Sequence, residues 1–354
     1  MHTADPVTDH EVLFVAAEAA SLAPSLHNSQ PWRFELDGSK LNVFADLTRW
    51  LPSTDASGRE LVISCGAAIC FAHLALRGMG RNVHTQLLPD PDNPDHLARL
   101  TLSGRRAPST EEKALIRALP IRYTDRDTYD DRQVPPSLVR QLHQGVRAQG
   151  AWLREVATPG DEVSLAVLLA HADDVQRGDR AYAAELADWT RADDTALDGV
   201  LRSSVPHAPS MKRSPTYRLR DFFAEAKPAE LAVCEVEFHA PSETHPTVVL
   251  IETDADDTLA WLTAGQALGW LLLRATADGV TAEPMTQILE LPATRAQLRH
   301  ALRLSGHPQM LLRLGYGTGR PRSHRRPVAQ GDTRARERAG IDPTAAGHDQ
   351  DATR

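Results

Sequence analysis

Three short segments of this chain concentrate side chains able to bind or orient a ligand. The first is Ala23-Pro24-Ser25-Leu26-His27-Asn28-Ser29-Gln30-Pro31-Trp32, which sets hydroxyls, carboxamides and an imidazole between prolines. Proline fixes φ, so donors and acceptors in such a turn are held in place rather than averaged over conformers. An ordinary turn after a helix explains the Pro and Ser but not the density of His, Asn and Gln. The second is Arg122-Tyr123-Thr124-Asp125-Arg126. In extended backbone alternate residues point the same way, so Arg122, Thr124 and Arg126 share a face. Two planar guanidinium forks around a hydroxyl suit a phosphate or a polyhydroxyl chain. A solvated strand paired with Asp125, Asp127 and Asp130 fits the same residues equally well. The third, Arg320-Pro321-Arg322-Ser323-His324-Arg325-Arg326-Pro327, reads by composition as a basic tail. It joins a site only if the strand expected at Met310–Gly315 delivers it to the same pocket.

Composition narrows the chemistry. The chain has 354 residues, 42% hydrophobic and 24% charged, with a net charge of -8. Its length predicts two domains or one two-lobed unit with a large core. The mild acidity argues against a nucleic-acid binder, which needs a basic face. Three cysteines (Cys65, Cys70 and Cys234) fit no disulfide framework and point to a reducing cytoplasm. Met1–His10 is polar and acidic and does not read as a signal peptide. The most apolar runs, Leu61–Leu76 and Leu259–Leu273, are broken by His73 and Gln266 and read as core helices, so no membrane role is expected. No Rossmann glycine fingerprint opens a helix, and there is no P-loop, nucleophile elbow or zinc pattern. No catalytic side chain and no metal ligand stands out. The chemistry is expected to come from a cofactor.

The elements that must position these segments follow from periodicity. Helices are expected at Asp9–Leu22, Leu61–Gly80, Glu111–Ala118, Ser137–Gln149, Asp161–Arg177 and Leu259–Gly279. Strands are expected at Trp32–Leu36, Leu41–Phe44, Val83–Leu88, Ala98–Leu102, Ala151–Val156, Cys234–His239, Thr247–Glu252 and Met310–Gly315. The Asp37-Gly38 pair predicts a hairpin between the first two strands. Ala187–Lys227 loses periodicity around Pro206, Pro209 and Pro215. A long irregular stretch inside a compact chain reads as a lid, a binding loop or disorder. From Gly331 the tail reads as disordered.

A shift of 199 residues places Gly66 on Gly265, Ala68 on Ala267, Phe71 on Trp270, Leu74 on Leu273 and Gly80 on Gly279. The shared Gly-to-Gly length favours a degenerate duplication over chance likeness of two buried helices. The expected domains are a first lobe at 1–110 and a second at 111–330. The second carries a lid insertion near 187–227, and a disordered tail at 331–354 follows.

Taken together, Pro24-Ser25-Leu26-His27-Asn28-Ser29-Gln30-Pro31-Trp32, Arg122-x-Thr124-x-Arg126 and Glu283-Pro284-Met285-Thr286-Gln287 resemble the flavin-dependent nitroreductase superfamily. The likeness runs from about Asp9 to Pro327 and is nearest to the Acg-like branch, actinobacterial proteins made of two fused halves. It implies an α+β fold of two lobes, like an FMN-binding nitroreductase homodimer in one chain.

By that resemblance, Arg122 and Thr124 contact the phosphate or ribityl oxygens of FMN, and Arg126 lies near flavin N1 and its C2 carbonyl. Pro24, Ser25, His27, Asn28 and Gln30 reach the isoalloxazine from the other lobe. Pro284, Met285 and Thr286 pack on the ring and offer a backbone N–H to N5. Arg325 and Arg326, with Arg322 less closely matched, close on the phosphate. The family's loop often carries Glu-Gly after the proline where this chain has Thr286 and Gln287, which implies a more crowded flavin face. Ala187–Lys227, with Trp189, Arg202, His207, Lys212 and Arg213, resembles a lid. Each motif occurs once, so one FMN per chain is expected, at the lobe interface. The implied activity passes hydride from NAD(P)H through FMN to a nitro-aromatic, quinone or similar acceptor. The alternatives are an FMN-sequestering protein with a lid-closed site and a regulatory protein that keeps only the fold. The implied assembly is a monomeric pseudo-dimer or a homodimer.

Overall fold

Thr8 accepts from the Glu11 N–H and Glu11 returns the bond to the Thr8 N–H (2.7 Å), a capping box that starts α1 (Asp9–Ser21). The computed structural model describes residues 8–206, 214, 216–222, 246–317, 319 and 323–328. A 3-10 turn at Leu26–Asn28 follows α1, and then β1 (Trp32–Asp37) turns at Gly38 into β2 (Lys40–Ala45). Gly38 sits at φ 57°, the left-handed backbone the hairpin needs. α2 (Arg59–Gly78) leads to β3 (Arg81–Leu87) and β4 (His96–Arg105). These four strands form one antiparallel sheet in the order β1-β2-β4-β3.

The second sheet repeats the plan. After α3 (Thr110–Ala118) come α4 (Pro136–Ala148) and β5 (Trp152–Glu155), then α5 (Pro159–Gly178) and α6 (Arg180–Asp188). β6 (Thr190–Arg191) pairs with β7 (Val200–Leu201). β8 (Thr247–Thr253), α7 (Thr258–Ala277) and β9 (Thr281–Pro284) follow. Two short helices, α8 (Gln287–Glu290) and α9 (Pro292–Ala301), precede β10 (His307–Gly315). The sheet order is β5-β8-β10-β9, again antiparallel. Element for element, α1-β1-β2-α2-β3-β4 matches α4-β5-β8-α7-β9-β10. The 199-residue shift in sequence therefore has a structural counterpart. Gly80 and Gly279, one just past each long helix, both adopt left-handed φ (72° and 75°).

α2 and α7 cross at the glycines that the shift superposes. A Cβ on Gly66 would stand 2.5 Å from Leu262 O and 2.9 Å from the Gly265 Cα. Only hydrogen fits at that crossing. Around it the main core runs through both repeats, with Ile69, Phe71 and Leu76 of α2 and Leu262, Leu271 and Leu273 of α7 inaccessible or nearly so. Each such side chain contributes about 1.5–3 kcal/mol. By length and composition α2 could cross a membrane, but 89% of its apolar window is buried in this core. Cys65 and Cys70 are free and buried, and burial pushes the Cys70 thiol up to about 12. They act as small apolar residues. His73 faces Thr85 (3.1 Å), and burial lowers its pKa.

Three expectations change. α6 and β9 are absent from the sequence reading. α6 is short and buries only Tyr182 and Leu186, and its start depends on Asp179 accepting from the N–H groups of Ala181 (2.8 Å) and Tyr182 (3.3 Å). β9 is four residues long and exists because β10 and Thr124 flank it. The Ala187–Lys227 stretch contains the β6–β7 pair rather than unbroken irregular chain. The strand expected at Cys234–His239 and the tail from Gly331 lie outside the described residues.

The end of α2 is anchored by a buried cation. Arg77 donates to Glu112 of α3 (2.8 and 3.2 Å) and to the carbonyls of Arg81, Arg106 and Ala107. The Arg77 hydrogen bond holds the Glu112 carboxyl at about 2, against an ordinary 4.5. A depressed carboxylate contributes stability above its unfolded pKa and loses it as pH falls toward the folded one. Glu112→Gln is thus expected to cost about 1–2 kcal/mol at pH 7, after allowing for solvent screening. Urea unfolding at pH 7 and near pH 2.5 checks this: the gap between variant and parent should close in acid.

Candidate active site

The turn after α1 is strained and multiply tied. His27, Asn28 and Gln30 adopt left-handed φ of 46°, 56° and 52°. Each costs on the order of 1–3 kcal/mol, so the surroundings must impose the shape. Ser25 Oγ accepts from the Gln30 N–H (2.9 Å), and Ser64 Oγ on α2 accepts from the Leu26 N–H (3.2 Å). Asn28 Nδ2 donates to Gly199 O (3.1 Å) and His324 O (3.2 Å). Gln30 donates to Leu197 O (2.8 Å) and accepts from the Arg326 N–H (2.8 Å). The turn therefore organises the 197–201 loop and the 323–328 strand-like segment around itself.

The arginine segment is placed from the other repeat. Arg122 N–H donates to Ala118 O (2.9 Å), closing α3, and Thr124 bridges Ala282 of β9 in parallel. That pairing sets Thr124 and Arg126 in the same compartment as Pro284 at the end of β9. Beyond β10, Gly317 bridges Tyr129, and residues 323–328 return to the first turn, where Arg325 donates to Ala23 O (3.4 Å). The condition set on the third segment is met: it reaches the same place as the other two.

Together they line one cleft in two adjoining compartments of about 670 and 780 Å³, partly open to solvent. Pro24, Ser25, Thr124 and Arg126 border both. The polar compartment adds Arg122, Ser204, Ser323 and Arg325. Arg325 has no acidic partner among the described residues, and burial pulls its pKa down to about 10. Its Nε makes no hydrogen bond there either. A partly buried cation without a counter-charge is disfavoured unless an anion joins it. The second compartment is walled by Ile63, Leu268, Leu272 and Met310, with Pro284 and Thr286 along one edge.

Polar groups also reach that apolar half. Arg220 donates to His27 Nε2 (2.5 Å) and pairs with Glu290, which also accepts from Thr286 (2.8 Å) and Gln176 (2.6 Å). Burial, then Arg220 and Arg126, hold the His27 pKa well below its ordinary 6.5, so the ring is neutral. With Nε2 accepting, the ring hydrogen sits on Nδ1, which has no partner among the described residues; Asn28 Oδ1 has none either. Phe222 meets the His27 ring edge-on at 5.8 Å and lies under the Arg126 guanidinium at 5.2 Å.

Residues 121–316, more than half of the chain, match the nitroreductase family. A Mycobacterium tuberculosis protein named "Putative NAD(P)H nitroreductase Rv3131" is 32% identical over 316 residues, 89% of this chain and 87% of that one. The chain belongs to the nitroreductase family. The M. tuberculosis protein named "Putative NAD(P)H nitroreductase acg" is 29% identical over 328 residues, 92% of this chain and 96% of that one. A third relative from that organism, "Uncharacterized protein Rv3127", is 30% identical over 308 residues, 84% of each chain. Among solved structures, the FMN-dependent nitroreductase NfnB from Mycobacterium smegmatis in complex with NADPH overlaps 58% of this chain and 88% of that one. Its identity is 16% and its TM-score 0.34, too loose to bear on the site.

In this nitroreductase-family chain the cleft gathers Pro24, Ser25, His27, Asn28, Arg122, Thr124, Arg126, Pro284, Thr286 and Arg325. It does not gather Gln30, Met285 or Arg326. The Gln30 amide is engaged by the chain itself, Met285 is wholly buried in the core beside α8, and Arg326 faces Arg49, Asp46 and Asp198. Arg322 lies outside the described residues, as do His207, Lys212 and Arg213 of the expected lid. Trp189 of that stretch stacks under Arg49 and Arg191. Sequence reasoning missed Glu60, Arg220, Phe222 and Ser323, which all border the cleft. An adjacent Arg59-Glu60 pair opening an otherwise apolar helix was the one available signal. Arg220 and Phe222 lie in the Ala187–Lys227 stretch read as a lid, but nothing in their types singled them out within it.

Proposed function

We propose that the chain binds one FMN along this cleft and passes hydride from NAD(P)H to a nitro-aromatic, quinone or similar small acceptor. The observation that carries the reading is the polar compartment. There Arg325, partly buried and without a carboxylate among the described residues, stands with Arg122 and Arg126. An FMN phosphate, at roughly -1.5 to -2 charge, supplies an anion for Arg325 and meets the guanidinium forks of the other two. Thr124, Ser25 and Ser323 would hold ribityl and phosphate oxygens, and the apolar walls of the second compartment suit a flat aromatic ring. Met285 gives its N–H to Leu311 O (2.9 Å) and Pro284 has none. That leaves Thr286 as the residue of this loop to offer an N–H at the ring edge. Bound FMN supplies the hydride-accepting and hydride-donating centre; the protein supplies orientation and charge.

Since the first-lobe turn and the second-lobe arginines each occur once, the reading gives one FMN per chain, between lobes at 1–110 and 111–330. A second reading, flavin sequestration, draws on Arg220 and Phe222, which border the ring compartment. Anaerobic addition of NADPH to the FMN-loaded chain separates the two. Loss of the yellow flavin band followed by its return on adding a quinone is expected. A band that persists with NADPH and NADH but vanishes with dithionite would establish sequestration instead. A chain that takes up no FMN would overturn both.

A further inference from the structure

Glu60 lies in the first turn of α2, its side chain 5% exposed, and borders the apolar compartment of the cleft. Arg59 donates to its Oε1 (2.9 Å), while Oε2 accepts no hydrogen bond among the described residues. Behind it, a separate cavity of about 850 Å³ is bordered by Asp55, Arg59 and Glu290. The two cavities are thus divided by one buried ionic layer: Asp55 from the loop before α2, Arg59 on α2, Glu290 on α8 and Arg220 from residues 216–222. A nitroreductase turnover on a quinone needs hydride and a proton together, and among the described residues the one other carboxyl group lining the apolar compartment is Glu283, which is paired with Arg313.

Resting on the flavin reading above, we infer that Glu60 is the proton-donating group of the cleft. The step balances: NAD(P)H, a quinone and one proton give NAD(P)+ and hydroquinone. The O–H bond of the Glu60 carboxyl breaks, a new O–H bond forms on the quinone oxygen, and the carboxylate left behind regains a proton from solvent. Burial, and then the nearby Glu290 carboxylate, push Glu60 up to about 8 against the pull of Arg59. The group is therefore protonated at neutral pH and can give its proton away.

The test uses the FMN-loaded chain, Glu60→Gln, and a water-soluble benzoquinone. Infrared difference titration of the parent should show a protonated-carboxyl C=O band lost as pH rises through about 8, and Glu60→Gln should lack it. In the variant kcat/KM for the quinone should fall about 10²-fold and lose its alkaline limb, a larger loss than that of FMN reduction by NADPH. Glu290→Gln removes the neighbouring negative charge, so the limb should move to lower pH; this keeps the inference exposed if Glu60→Gln fails to fold. An unchanged infrared titration in Glu60→Gln, or a limb that neither variant moves, overturns it. A parent chain that binds no FMN removes the flavin reading itself, a result distinct from either of these.

Discussion

Arg325→Ala is expected to raise the Kd for FMN from about 30-fold to more than 10³-fold, the range for removing one partner of a buried, hydrogen-bonded charge pair. The same substitution should leave the flavin-free chain no less stable than its parent. Without a ligand, Arg325 is a partly desolvated cation whose hydrogen bonds among the described residues go to the carbonyls of Ala23, Ser323 and His324. Those neutral bonds are worth about 1 kcal/mol each, whereas an uncompensated buried charge costs several. The opposite signs are the informative part: weaker flavin binding with undiminished stability of the free chain marks a ligand-binding cation rather than a structural one. Fluorescence titration with FMN and with riboflavin, plus thermal melts of the free chain, check both. Riboflavin lacks the phosphate, so its affinity should scarcely change. Stoichiometric FMN retained by Arg325→Ala after gel filtration would move the phosphate elsewhere.

Gly265→Ala should destabilise the fold by about 2–3 kcal/mol, despite a gain of about 1 kcal/mol in helix propensity. A Cβ there would press into Ile63 O and stand 2.7 Å from the Gly66 Cα and 3.0 Å from Ala67 N. All of these are backbone atoms and cannot rotate aside, so α2 and α7 must separate. Both helices line the apolar compartment through Ile63, Leu268 and Leu272. Their separation should therefore weaken flavin binding as well. Gly160→Ala, at the start of α5 with nothing within 4 Å of the added carbon, is the control and should be neutral or slightly stabilising. Urea unfolding of the three chains measures the difference. Equal stability of Gly265→Ala and the control would mean that the helices do not cross at these glycines.

Much of the fold was legible because its elements are locally encoded. α2 and α7 each present a long apolar run closed by a glycine, and β1–β2 announces itself through Asp37-Gly38. The 199-residue shift exposed the repeat because the two glycines that meet at the helix crossing are irreplaceable there. α6 and β9 escaped notice because their stability comes from neighbours: a capping aspartate for one, and flanking strands for the other. In the site, the turn residues and the arginine triplet stood out by composition, and Gln30 and Met285 were carried along with them. The amide of Gln30 in fact ties loops together, and Met285 fills the core.

The amino-acid order by itself determined the elements, the repeat and the three segments rich in ligand-binding groups, since each depends on residues close together in the chain. The tertiary structure alone decided which of those groups share a cleft, that Arg325 lacks a carboxylate among the described residues, and that Asp55, Arg59, Arg220 and Glu290 form a buried ionic layer beside Glu60. Charge compensation and desolvation depend on distances between residues hundreds of positions apart, and no local pattern in a sequence reports them.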